Sequence, residues 1–135
     1  MTTRNTYKLI LRIDPKPKPR ARTFTRMGKV RTVSTTRGRN YEQDLAFIAR
    51  LHWKIPPLSG PLRLDLTFHL QKTKGVPKGR IWPCVRPDLD NYTKAFLDAV
   101  QGIVFKDDGQ ICGGEVWKKY SKYDYSYIEA IFSRL

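Results

Sequence analysis

Asp88 and Asp90 flank Leu89 in the segment Arg86-Pro87-Asp88-Leu89-Asp90-Asn91, in a chain where acids are scarce. Of 135 residues, 12 are Asp or Glu against 26 Lys or Arg, yet five of the acids (Asp88, Asp90, Asp98, Asp107, Asp108) fall between positions 88 and 108. Carboxylates gathered closely repel one another unless a cation neutralises them. Oxygen-only ligation by Asp suits Mg²⁺ or Mn²⁺ better than zinc. Such an ion lowers the pKa of a bound water, polarises a phosphate and stabilises a leaving oxygen. An ammonium such as Lys94 could neutralise charge developing on the phosphoryl oxygens. Carboxylates in a strongly basic chain therefore suggest a hard divalent cation held against a polyanion, the pattern of a metal-dependent nuclease.

The spacing of Asp88 and Asp90 is useful only where the backbone changes from extended to helical. Pro87 favours that change, because its fixed φ suits a helix entry and it biases Arg86 toward extended geometry. Asp88 would then cap a helix whose first turn holds Asp90, near the positive end of the macrodipole. Capping alone is the ordinary explanation for an Asp at such a place. Asp90, Lys94 and Asp98 recur at i, i+4 and i+8, so they line one polar face, which in the ordinary reading is a solvated row of weak ion pairs. Asp107-Asp108, on a turn after a short segment Ile103–Phe105, adds two more carboxylates. The enzymatic reading requires that turn to approach the start of this helix, where Asp88 and Asp90 lie.

The elements that must position these groups are legible from periodicity. Tyr7, Leu9, Leu11 and Ile13 alternate with Lys8, Ile10 and Arg12 as a first strand, and Leu62 to Leu70 alternates more cleanly still. Phe24 to Val33, turning at Met27-Gly28, reads as a basic hairpin. A helix from about Arg39 to Trp53, N-capped by Thr35 or Thr36, carries Tyr41, Leu45, Ile48 and Ala49 or His52 as its apolar stripe. A second helix from about Asp90 to Gln101, ended by Gly102, carries Leu89, Thr93, Phe96, Val100 and Ile103. Ile103–Phe105 reads as a short strand, and strands near 111–120 and 125–132 close the chain as a hairpin. The fold class is α+β (mixed α/β): a single domain with one mixed sheet of about four to six strands backed by two helices.

Net charge is +14, which favours anionic partners, nucleic acid first. No apolar run approaches the roughly 20 residues of a spanning helix, and no signal-peptide segment opens the chain, so a cytoplasmic setting without membrane attachment is expected. Cys84 and Cys112 lack a metal-binding or disulfide spacing, and His52 and His69 are isolated, so thiols and imidazoles are read as structural or idle. Nine cations and no acid occupy residues 16–39, among them Lys16, Lys18, Arg20 and Arg22. A second acid-free stretch carries Lys72, Lys74, Lys78, Arg80 and Arg86. Both are candidate DNA-binding surfaces, since exposed charges usually mix signs. Phe24, Tyr41 and Trp82 are candidates to stack on unpaired bases, with ordinary packing as the alternative.

The stretch from Arg86 through Ala99, followed by Gly102 and Phe105-Lys106-Asp107-Asp108-Gly109-Gln110-Ile111, resembles the RusA family of Holliday junction resolvases. The likeness is specific over about residues 85–111 and looser in the N-terminal half. It implies a single RusA-like endonuclease domain over residues 1–135, of a kind often encoded by phage or prophage. Further implications are Mg²⁺ dependence (Mn²⁺ as substitute), a homodimer, no small-molecule cofactor, and paired symmetric nicks in four-way DNA. By position, the resemblance assigns metal-binding catalytic roles to Asp88, Asp90 and Asp108, assistance at the phosphate to Lys94 and a supporting role to Asp107. Two departures stand out: Gly109 replaces a small polar residue, and the arginine run before the first aspartate is reduced to Arg86-Pro87. The competing readings are a non-catalytic basic DNA-binding protein, and a metal-dependent nuclease acting on other branched nucleic acid.

Overall fold

The computed structural model describes residues 5–17, 22–26, 29–33 and 36–135, with side chains described for 5–17 and 40–135. In chain order the elements are β1 (Thr6–Leu11), β2 (Arg22–Arg26), β3 (Lys29–Val33), α1 (Thr36–His52), β4 (Leu62–Leu70), α2 (Leu89–Val100), β5 (Ile111–Tyr120) and β6 (Tyr127–Arg134). A 3-10 turn at Asp108–Gln110 leads into β5. β2 and β3 pair antiparallel as a separate two-stranded sheet, as expected of the basic hairpin. Its Met27-Gly28 turn, like Thr35, lies outside the described residues.

The main sheet has four strands in the order β1-β6-β4-β5. β4 runs antiparallel to β6 and parallel to β5, and β1 runs antiparallel to β6. This corrects the expected closing hairpin, since β5 and β6 are separated by β4. α2 lies between β4 and β5 in the chain and supplies the long crossover that parallel neighbours require, whereas a hairpin turn joins only antiparallel strands. The expected strand at Ile103–Phe105 is also absent among the described residues; Phe105 makes only isolated bridges to Leu58 and Gln101.

The alternation of β4 buries Leu62, Leu64, Leu66 and Phe68 on one face, where they meet Leu9 and Leu11 of β1 and Ile128, Ala130 and Phe132 of β6. The helices cover this face, with α1 against β1 and α2, and α2 against β5. α2 buries Tyr92, Ala95, Phe96, Ala99 and Val100, an i, i+3, i+4 stripe. Of the expected stripe, Phe96 and Val100 are buried and Leu89 and Ile103 pack partly buried against the core, while the buried face widens to take in Tyr92, Ala95 and Ala99 and Thr93 is only partly buried. In α1, Tyr41, Leu45 and Ala49 are buried as expected, while His52 is exposed and not packed. His69 is buried, and both cysteines are exposed and free.

β5 meets β4 across an irregularity in which Leu62 faces Ile111 and Arg63 faces Gly113, leaving Cys112 as the extra residue. Gly114 follows with φ +134°, and a Cβ there would come within 1.7 Å of the Leu64 carbonyl oxygen. Only glycine lets the two backbones approach this closely. Beyond the irregularity, Val116 and Lys118 pair with Leu66 and Phe68, which places them on the helix-covered face.

Candidate active site

The start of α2 is built as the spacing around Pro87 predicts. Asp88 occupies the N-cap with extended dihedrals (φ −69°, ψ 152°), and Asp90 lies in the first turn. The backbone amides of Asn91 and Tyr92 donate to the Asp88 carbonyl at 3.2 and 3.3 Å. The Asp88 carboxylate, however, makes no capping hydrogen bond. The ordinary reason for an Asp at this position is therefore not realised, and the side chain stands exposed at the electropositive end of the helix. The loop delivering it is clamped by Lys118, whose Nζ donates to the carbonyls of Val85 at 2.7 Å and Pro87 at 3.1 Å.

Along α2 runs a groove of about 590 Å³. The polar row Asp90, Lys94 and Asp98 forms one wall, Leu89, Leu97 and Val116 supply apolar lining, and Asp108 faces the same space. Thr93, also on the groove, is turned inward by donating its hydroxyl to the Leu89 carbonyl at 2.8 Å. The row is therefore the wall of a concavity on the protein surface.

Two glutamines hold the Asp108 turn. The Asp108 amide donates to Gln101 Oε1 at 3.2 Å, just past the C-terminal end of α2. Gln110 Oε1 accepts from the amides of Lys106 and Asp107 at 2.8 and 3.0 Å, while its Nε2 donates to the carbonyls of Leu58 and Gly60 at 3.0 and 2.9 Å. The preceding Val104 and Phe105 are fully buried. At Gly109, an added Cβ would lie 3.0 Å from Asp107 Oδ2, so a side chain there would need the Asp107 carboxylate to shift slightly. Neither glutamine was a candidate on sequence grounds. The available signal was one glutamine two residues after Asp108 and another closing the helix before the turn.

Asp90, Lys94 and Asp108 are thus brought to one groove, with Asp98 beside them, while Asp88 stands at the helix entrance. They do not close into one cage. The helical rise separates Asp90 from Asp98 by about 12 Å along the axis, and Asp108 is tied near the far end. Among the described residues no three Asp, Glu, His or Cys side chains form a group able to hold a metal ion. Carboxylate oxygens suit Mg²⁺ chemically, and two of them are enough where water and phosphate complete the shell. Asp88 and Asp90 fit that requirement in donor type, and both belong to the start of α2. Asp107 is exposed beside the groove.

The candidate DNA-contacting residues divide similarly. Lys74, Lys78, Arg80 and Arg86 are exposed; Lys72 is partly buried and donates its Nζ to the Lys78 carbonyl. Lys16 is exposed, and its backbone amide donates to Tyr41 Oη at 3.1 Å. Tyr41 in turn donates to the Asp14 carbonyl at 2.9 Å. Tyr41 is buried, which pushes its phenol pKa up to about 12 and rules it out as a base-stacking surface. Lys18 and Arg20 lie outside the described residues, as do the side chains of Arg22 and Phe24.

The ion pairs Lys8–Glu129, Arg63–Asp65 and His69–Glu129 lie on the sheet's other face, away from the groove. Burial holds the His69 imidazole below its ordinary range, against the opposing hydrogen bond to Glu129. Asp65 is held below the usual carboxylate range by its bond to Arg63. None of the described helices is long and apolar enough to cross a membrane.

Comparison with known proteins places these residues in a family context. A family model described as "Endodeoxyribonuclease RusA" matches residues 12–129, most of the chain and all of the groove. The chain is also similar to "Uncharacterized protein YqaN" of Bacillus subtilis (strain 168), 29% identical over 119 residues, covering 81% of this chain and 84% of that protein.

Proposed function

We propose that this chain, which belongs to the RusA endodeoxyribonuclease family, is a divalent-metal-dependent nuclease that resolves four-way DNA junctions by paired symmetric nicks, acting as a homodimer. The observation that carries this reading is the groove shared by Asp90, Lys94 and Asp108, along a helix whose N-cap Asp88 carboxylate caps nothing.

In this reading Asp88 and Asp90 hold Mg²⁺, for which Mn²⁺ can substitute. When bound, the ion supplies an activated water and polarises the scissile phosphate. Lys94, one helical turn beyond Asp90, neutralises charge that develops on the phosphoryl oxygens. The positive end of α2 favours the same anion. Asp108 completes the acidic set from the far side of the groove, and Asp107 supports its turn. In this reading Asp108 joins the same ion when the groove closes on DNA, and a two-fold dimer with two such sites matches the nearly two-fold symmetry of a four-way junction.

The exposed cations Lys74, Lys78, Arg80 and Arg86, with Lys16, Lys18, Arg20, Arg22 and Lys72, contact the phosphate backbone in this account. Cleavage of four-way, three-way and linear DNA side by side, with strand-specific labels, tests the substrate. Paired nicks confined to four-way DNA are expected. Equal cutting of linear or three-way DNA would replace junction resolution with a broader nuclease activity.

A further inference from the structure

Of the three tryptophans, Trp53 is buried, while Trp82 and Trp117 are 55% and 49% exposed. The two exposed indoles are not independent. Their ring centroids lie 5.7 Å apart at an interplanar angle of 41°. Trp117 projects from β5, the edge strand, on the sheet face opposite the groove. Trp82 comes from the acid-free loop, which is fastened to that edge by the Tyr120 amide donating to the Ile81 carbonyl at 2.8 Å. Trp117 Nε1 donates to Glu115 Oε2 at 3.3 Å, which fixes the second ring. Lys119 Nζ stands 5.9 Å from the Trp82 centroid.

We infer that Trp82 and Trp117 form a stacking platform for an unpaired base of the DNA substrate. Aromatic faces combined with cations bind unpaired nucleotides without base-specific contacts. Here the rings are pre-positioned by backbone and side-chain bonds, so little ordering cost remains. The occupant follows from charge: Lys119 lies over the platform, and the loop that supplies Trp82 also carries exposed Lys78, Arg80 and Arg86. Exposed Ile81 and Val85 nearby would also suit a second copy of the chain. Lysine is depleted from the centres of subunit interfaces, which favours the nucleic acid. Trp82 precedes Asp88 by six residues, at most about 20 Å of extended chain. A base parked on the platform is therefore within a few nucleotides of the acidic helix start. The inference rests on the reading of this chain as acting on branched DNA.

The test uses the full chain without divalent metal, so that no strand is cut, and four-way junctions carrying 2-aminopurine at the branch point. Wild-type protein should change the 2-aminopurine fluorescence. The double variant Trp82→Ala/Trp117→Ala should abolish that change and weaken junction binding about tenfold, within the range found for removal of stacking aromatics. Its binding to linear duplex should stay within about twofold, and Trp82→Phe/Trp117→Phe should restore junction binding and signal. Wild-type protein that leaves the fluorescence unchanged overturns the platform, as does a double Ala variant that binds junctions normally. A double Ala variant that changes oligomeric state in sedimentation, with duplex and junction binding lost together, also overturns it and makes the patch a subunit interface. A stacking signal that persists in a protein unable to nick any DNA with Mg²⁺ would remove the nuclease reading and leave the platform standing.

Discussion

The backbone amide of Asp108 donates to the side chain of Gln101 at 3.2 Å, joining the acidic turn to the end of the helix whose other end carries Asp88 and Asp90. One helix thereby sets the position of all three carboxylates. Gln101→Ala removes that tie but no acidic group. A neutral hydrogen bond contributes about 1 kcal/mol, so the expected effect is a fall in kcat of up to about tenfold with DNA affinity nearly unchanged. Single-turnover cleavage alongside binding measurements would check this.

Lys118 fixes the other end. Its ammonium binds the carbonyls of Val85 and Pro87, and a hydrogen bond to a charged group contributes about 1.5–3 kcal/mol, less where solvent screens it. Lys118→Met should lower thermal stability modestly and reduce activity at limiting Mg²⁺ more than at saturating Mg²⁺. A variant whose loss is the same at every metal concentration would show that the clamp does not position Asp88.

Asp90→Asn keeps the shape of the helix start and removes one carboxylate proposed to hold the metal. Cleavage should fall below detection while junction binding stays within a few-fold of wild type. Lys94→Ala should lower the cleavage rate with folding intact, as measured by circular dichroism and single-turnover kinetics.

Stability should depend on pH through His69. Buried against the sheet, stacked on Tyr127 and hydrogen bonded to Glu129, its imidazole titrates below the ordinary value of 6.5 despite that bond, with Lys119 and Lys122 also disfavouring protonation. The unfolded chain therefore takes up the proton first as pH falls. The contribution is fully present above about pH 6.5 and is lost as pH drops through the folded-state pKa. Melting temperature should decline over that window, and His69→Gln should flatten the decline. Glu129, whose bonds to Lys8 and His69 outweigh the upward push of burial, adds a similar loss at more acidic pH.

DNA affinity should fall steeply with salt if the exposed loop cations contact phosphates. Each of Lys78→Ala and Arg80→Ala should reduce the magnitude of the slope of log K against log salt by about one. An unchanged slope would remove these residues from the interface.

The parts legible in the sequence were those with local causes. The 62–70 alternation becomes β4, the break at Pro87 becomes the entry to α2, and the Asp90, Lys94, Asp98 spacing becomes a groove wall. The pairing of the last two strands was misread because adjacency in the chain suggests a hairpin. The partner of β5 is instead chosen by the α2 crossover and the Gly114 approach to Leu64. The buried face of α2 is wider than the expected stripe because Tyr92, Ala95 and Ala99 also turn to the core, while Leu89 and Leu97 at its edge line the groove. Lys118, Gln101 and Gln110 act through contacts tens of residues away or across a turn, which no periodicity encodes.

The most direct measurement is strand-specific nicking of a four-way junction by the wild-type chain and by Asp90→Asn, each with Mg²⁺ and with chelator. Paired nicks from wild-type protein with Mg²⁺ alone, and none from the variant despite junction binding, are the expected result. Wild-type protein that binds the junction yet leaves it intact with Mg²⁺ and with Mn²⁺, or that cuts equally well in chelator, would contradict the account.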